Sequence, residues 1–170
     1  TSAGSGRLSV TTNAALNGTW GLQALINSTQ SLYVSDASPA NEAAYHARFY
    51  FSPNGIAMTN GKLHDLFAGR TSAGTVIFRL QFRRSSGVYQ VRGLVRTNSS
   101  TEQTTNWYTI SNGSHAIEVA WQAASTTSGS TGALSLWIDG ALKQTRSGVA
   151  NGTYRLEEVR LGAVSGVTSG

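Results

Sequence analysis

Arg79, Gln81 and Arg83 alternate along one segment, and Gln90, Arg92 and Arg96 fall at even spacing along the next. A guanidinium is a planar, permanently charged fork that pairs with two oxygens of a carboxylate or sulfate at once. A glutamine amide both donates and accepts, which suits sugar hydroxyls. Even spacing places such side chains on one face of a strand. The chemistry this pattern points to is recognition of a glycan, acidic or neutral. The plainer alternative is that long polar side chains solvate the outside of a sheet. Trp137 joins the candidates because it alternates against Leu134, Leu136 and Ile138, and an indole turned outward can stack on a sugar ring.

A β-hairpin must hold these residues together. In segment 75–84, Val76, Phe78, Leu80 and Phe82 share one face, and Ile77, Arg79, Gln81 and Arg83 share the other. In segment 88–97, Tyr89, Val91, Gly93 and Val95 alternate with Gln90, Arg92, Leu94 and Arg96. Cross-strand neighbours must share a face, and a two-residue turn at Ser86-Gly87 meets that condition. It pairs Arg83 with Gln90 and Gln81 with Arg92.

The same period of two recurs elsewhere. Segment 115–122 alternates His115, Ile117, Val119 and Trp121 against Ala116, Glu118, Ala120 and Gln122. Segment 134–139 ends in Asp139-Gly140, a hairpin dipeptide, and 142–146 follows. Segment 44–51 sets Tyr45, Ala47, Phe49 and Phe51 against His46, Arg48 and Tyr50. Further strands are predicted at 7–12, 20–26, 32–35, 62–69, 104–110 and 154–161. Many short strands, regular turn signals and no 3.6-residue periodicity predict an all-β protein, an antiparallel sandwich or barrel.

Composition bounds the function. The 170 residues form one domain, with ends 1–6 and 163–170 that read as flexible linkers in a piece of a longer exported protein. The absence of cysteine excludes disulfides and thiolate metal sites. Net charge is +5, and all but Lys62 and Lys143 of the basic residues are arginines spread along the chain. No recognition helix or lysine-rich arm supports nucleic-acid binding. No apolar run is long enough for a membrane span. Low charge with many Ser, Thr and Asn suits an extracellular or cell-surface setting.

Three stretches carry a resemblance: His115-Ala-Ile-Glu-Val-Ala-Trp121, then Leu134-Ser-Leu-Trp-Ile-Asp-Gly140, then Glu158-Val-Arg-Leu-Gly162. In this order, with Ala47-Arg-Phe-Tyr-Phe51 upstream, they resemble bacterial jelly-roll domains of the concanavalin A-like superfamily, of laminin G and pentraxin type. The resemblance spans roughly 20–161 and implies a jelly-roll β-sandwich. It does not imply one activity, because the fold hosts lectins, glycanases, lyases and adhesion modules.

The glycanase motif Glu-x-Asp-x-x-Glu of such folds is absent, and the adjacent Glu157 and Glu158 point to opposite faces of a strand. Jelly-roll lyases use Arg, Gln, His and Tyr; Arg79, Gln81, Arg92, His46 and Tyr50 are the right types without the family's motif order. No catalytic residue is assigned. His46, His64 and His115 lack ligand spacing, so no metal site and no cofactor is assigned, calcium staying open through Asp36, Glu42, Asp65, Glu102 and Asp139 in or near loops. The reading that results is a non-catalytic extracellular glycan-binding module, not an enzyme, with Arg79, Gln81, Arg83, Gln90, Arg92, Arg96 and Trp137 as its ligand-binding residues. One alternative is a structural or adhesive subunit that self-associates through an open sheet edge, since the tail after Leu161 lacks a strand pattern. The other is a polysaccharide lyase or hydrolase.

Overall fold

The computed structural model describes residues 2–3 and 6–168 of the chain. Among the described residues fourteen strands carry the fold. The first four are short: β1 (Ser2–Ala3), β2 (Leu8–Thr11), β3 (Gly21–Ala24) and β4 (Leu32–Asp36). Then come β5 (Ala44–Phe51), β6 (Leu63–Arg70), β7 (Val76–Ser85), β8 (Val88–Arg96), β9 (Glu102–Thr104) and β10 (Tyr108–Ile110). The chain ends with β11 (His115–Gln122), β12 (Gly132–Ile138), β13 (Ala141–Val149) and β14 (Glu158–Ser165).

Two antiparallel sheets face each other. The larger runs β1-β4-β14-β6-β7-β8-β10, with β9 also pairing with β8. The smaller runs β13-β12-β11-β5, and β2-β3 is a separate hairpin. Between the sheets lies the main core, built from alternate residues of both. Phe78 of the larger sheet stacks on Trp121 of the smaller at 5.7 Å. Phe51 meets Phe82 edge to face at 5.0 Å. Burying each such side chain contributes about 1.5–3 kcal/mol. Most of the expected inward sets of β5, β7, β8 and β11 pack into this core, but Val76, beyond the register shift at Ile77, and His115, bonded to Ser111 and Asp139, do not.

The turns follow from local chemistry. Ser86 and Gly87 take φ of 50° and 83°, and Asp139 and Gly140 take 54° and 77°, both residues of each pair left-handed as a type I′ hairpin requires. The Asp139 carboxylate also accepts from the Ala116 N–H at 2.9 Å and meets His115 Nδ1 at 2.7 Å. The other ring nitrogen of His115 accepts from the Ser111 N–H at 3.0 Å. That histidine and aspartate therefore fasten the β11–β12 end of the smaller sheet.

Four expectations change. The single strand expected at 104–110 is two short ones, β9 and β10, separated by the segment carrying Trp107. The strand expected at 154–161 begins only at Glu158 and runs on to Ser165. Ile77, expected beside the arginines, is fully buried in the core, because the register shifts between Gly69 and Arg70 and leaves Ile77 unpaired. The loose tail expected from 163 is packed as far as it is described: Ala163, Val164 and Val167 are buried, while residues 1, 4, 5, 169 and 170 of the expected flexible ends lie outside the described residues. β14 is central, between β4 and β6, so the last strand leaves no edge open. Small residues misled the reading here. Gly162 has φ 137° and lies so close to β4 that a Cβ would fall 2.3 Å from the Leu32 carbonyl oxygen; a composition that looks like linker is what close strand approach demands.

Candidate functional site

The outer face of the larger sheet carries the polar array. Register pairs Arg83 with Gln90, Gln81 with Arg92, and Asp65 with Gln81. These side chains interlock. Arg83 Nε donates to Gln90 Oε1 at 2.9 Å. Arg92 donates through Nε and Nη2 to Gln81 Oε1 at 3.1 and 2.8 Å. Gln81 Nε2 in turn donates to Asp65 Oδ1 at 2.9 Å. Ser165 donates its hydroxyl proton to Asp65 Oδ2. Asp65 and Gln81 are each 5% exposed, so this part of the array is a floor rather than a fringe.

The three central arginines differ in charge balance. Arg79 reaches Asp65 Oδ2 at 3.3 Å and both oxygens of Glu102 at 2.8 Å, so its charge is met inside the protein. Arg83 and Arg92 contact only neutral amides, and among the described residues neither has an ion-pair partner. Both lie over the same indole, with Cζ 4.1 and 4.4 Å from the Trp107 ring centroid. Burial pushes the Arg92 pKa down, the neighbouring Arg83 and Arg79 charges add to this, and the more distant Glu102 and Asp65 carboxylates partly oppose it. Two like charges gathered on one ring, without a carboxylate of their own, form an anion-binding arrangement.

Five of the seven candidate residues meet here: Arg79, Gln81, Arg83, Gln90 and Arg92. Arg96 stands at the end of β8 and donates to the Tyr154 hydroxyl at 3.3 Å. Trp137 does not join them: β12 belongs to the smaller sheet, so its outward side chains face the opposite side of the sandwich. The same topology removes His46 and Tyr50 from the lyase-type set with Arg79, Gln81 and Arg92, since both point outward from β5. Trp107, Asp65 and Glu102 complete the array and were not read as partners of the arginines.

Arg160 and Tyr33 occupy the same outer face, two and three strands from β7. The Arg160 guanidinium lies 4.6 Å from the Tyr33 ring centroid and donates to Glu158 at 3.0 Å. The carboxylates weighed for calcium are dispersed: Asp36 accepts from the Ser38 N–H, Asp65 and Glu102 hold Arg79, and Asp139 holds its turn. Among the described residues no three acidic or histidine side chains gather at one point.

No protein-family model matches this chain, and no curated protein matches its sequence. Among solved structures it is similar to an endo-β-1,4-glucuronan lyase from the fungus Trichoderma reesei, with a TM-score of 0.67. The likeness covers 95% of this chain and 77% of that one, at 16% identity. The fold is a concanavalin A-like jelly roll. For this jelly roll the match corrects two expectations, the non-catalytic binding module and the absence of enzyme activity. The superimposable protein is itself an enzyme, a lyase, and so it backs the alternative that the sequence reading placed last.

Proposed function

We propose that this chain is an extracellular polysaccharide lyase that cleaves a uronate-containing glycan across the outer face of its larger sheet. The observation that carries the reading is the pair of unneutralised guanidinium groups, Arg83 and Arg92, stacked on Trp107 above a buried Gln81–Asp65 floor. The likeness to a glucuronan lyase supports it.

Elimination from a uronate removes the proton on C5, beside the carboxylate. The electron pair left behind forms the C4–C5 double bond as the C4–O bond breaks, and the departing oxygen takes up a proton. Fork-shaped donors on a carboxylate stabilise the charge that spreads onto it as the C5 proton leaves. Arg83 and Arg92 grip the carboxylate of one uronate and anchor the chain, with the free donors of Gln90 beside them, while Arg160 is the fork beside the reacting uronate. Tyr33, with Arg160 at its ring, is the phenol of this face and serves proton transfer. β4 is three strand spacings from β7, roughly 14 Å. The substrate is therefore a run of sugars lying across the strands, with an anchored uronate near Trp107 and the reacting one toward Tyr33.

The test is incubation with glucuronan, alginate and polygalacturonate, reading the ultraviolet absorbance of the unsaturated product. Product is expected from at least one polymer and none from a free uronic acid. Failure of the wild-type chain to form unsaturated ends on any of the three sinks the reading.

A further inference from the structure

The outer face of the smaller sheet takes no part in that reaction, yet it holds a depression of about 390 Å³ lined by β5, β11 and β12. Register explains the hollow. Ala120 sits at its centre, between His46 and Ser135. One row away, Gln122 sits between Ala44 and Ala133. Side chains that stop at Cβ leave space above the sheet, and His46, Gln122 and Ser135 stand round it. The next row in the other direction places Glu118 beside Trp137.

The polar side chains that line this hollow are His46, Gln122 and Ser135, and the Arg48 guanidinium stands one row away from it. His46 Nε2 meets Glu118 Oε1 at 2.8 Å. The His46 ring packs 5.9 Å from that of Trp137. Arg48, the guanidinium of the same row, donates to the Tyr50 hydroxyl at 3.3 Å and lies over the Tyr50 ring. Ser135 and Thr145 share a hydrogen bond of 2.7 Å. The Gln122 amide has no side-chain partner among the described residues. An alanine floor ringed by His46, Gln122 and Ser135, with the Trp137 indole one row away against the His46 ring, matches the two faces of a pyranose, one of C–H groups and one of hydroxyls. The volume falls within the roughly 300–1,000 Å³ of small-molecule sites.

We infer that this trough binds a neutral pyranose unit of a glycan, on the opposite side of the sandwich from the arginine array. The site would hold the protein on a polymer while the other face works, and it does not depend on the lyase reading.

Isothermal titration with cellohexaose, xylohexaose and mannohexaose tests it. The wild-type chain should bind at least one. Trp137→Ala should weaken that binding about tenfold, the loss expected for one aromatic contact. Ala120→Phe, which fills the hollow from its centre, should weaken it as much, with the melting temperature recorded for both variants. Arg92→Ala should leave it intact, which separates this site from the uronate site. No binding of any neutral hexasaccharide by a folded wild-type chain overturns the proposal. So does binding that Arg92→Ala abolishes, or that both trough variants retain in full.

Discussion

The two outer faces of this sandwich obey one alternation rule and come out differently. On the larger sheet the outward residues of β6, β7 and β8 are drawn down into contact: Ala68 is 1% exposed, Leu94 2%, and the polar Asp65 and Gln81 5% each. On the smaller sheet the outward Tyr50 is 40% exposed and Leu142 55%. The difference is charge pairing. Arginines that bond sideways to Gln81, Gln90, Asp65 and Glu102 lie flat and roof their own sheet, whereas alanines between isolated polar groups leave a hollow. Outward-facing on a strand is thus not the same as exposed. A face becomes preorganised for an anion when its cations are held by neutral acceptors.

The largest test of that contrast removes a cation from the roofed face. Arg92→Ala should lower kcat/KM on a uronate polymer by up to about 100-fold, as loss of a charged hydrogen bond to the anchored uronate does. Arg92→Lys should recover little, because an ammonium cannot replace the fork that spans Gln81 and the indole. Initial rates of unsaturated-product formation measure both. Next in size is the floor. Asp65→Ala leaves Arg79 and Gln81 without their buried acceptor and should cost about 3 kcal/mol of folding stability, read by urea denaturation. If that variant is as stable as wild type, the larger sheet's face is a solvated surface like the other and the contrast fails.

Much of this was legible in the chain itself. The β7–β8 register followed from two alternations and a Ser-Gly turn, because period two and the turn constrain the same pairing. The fold followed from three short motifs in order. What stayed hidden was non-local. Nothing near Arg79 in sequence says that Asp65 and Glu102 will neutralise it, or that Arg83 and Arg92 are the ones left with free charge. Trp107 lies in the break between β9 and β10, where alternation carries no information about facing. Trp137 was assigned correctly to the outside and wrongly to the arginines, since alternation fixes a face within a sheet but not which sheet a strand joins.

His64 of the larger sheet and Asp139 at the end of the smaller should also respond to acid in different pH ranges. His64, under the larger sheet, is 1% exposed, and its Nε2 accepts from the Thr168 N–H at 3.1 Å. Burial lowers its pKa, and the nearby Asp65 only partly opposes this. A histidine kept neutral in the fold has the same charge folded and unfolded above its ordinary pKa of about 6.5, so nothing changes there. Below that value the unfolded chain takes up a proton that the fold refuses, and stability falls. In the smaller sheet, burial raises the Asp139 pKa but the His115 and Ala116 hydrogen bonds outweigh it, and the net shift is downward. A depressed carboxylate stabilises above its unfolded pKa of about 3.9 and loses that contribution as the pH falls toward the folded value. Melting temperatures should therefore decline in two steps. His64→Gln should flatten the step between about pH 6.5 and 5, and Asp139→Asn the one below about pH 4.

The smallest effect belongs to the open face. Arg48 lies opposite Glu118 in register, but Glu118 is already bonded to His46, and Arg48 reaches only the Tyr50 hydroxyl. An exposed guanidinium held by one hydroxyl contributes little, because water replaces that contact when the side chain is cut back. Arg48→Ala should shift folding stability by no more than about 0.5 kcal/mol in urea denaturation. Arg83→Ala gives the matched comparison, since it leaves the Gln90 acceptor and one side of the Trp107 indole bare on a half-buried face. It should cost clearly more, by about 1–2 kcal/mol. Equal costs for the two variants would mean that the arginines of the larger sheet are as loosely held as Arg48, and preorganisation would no longer distinguish the faces.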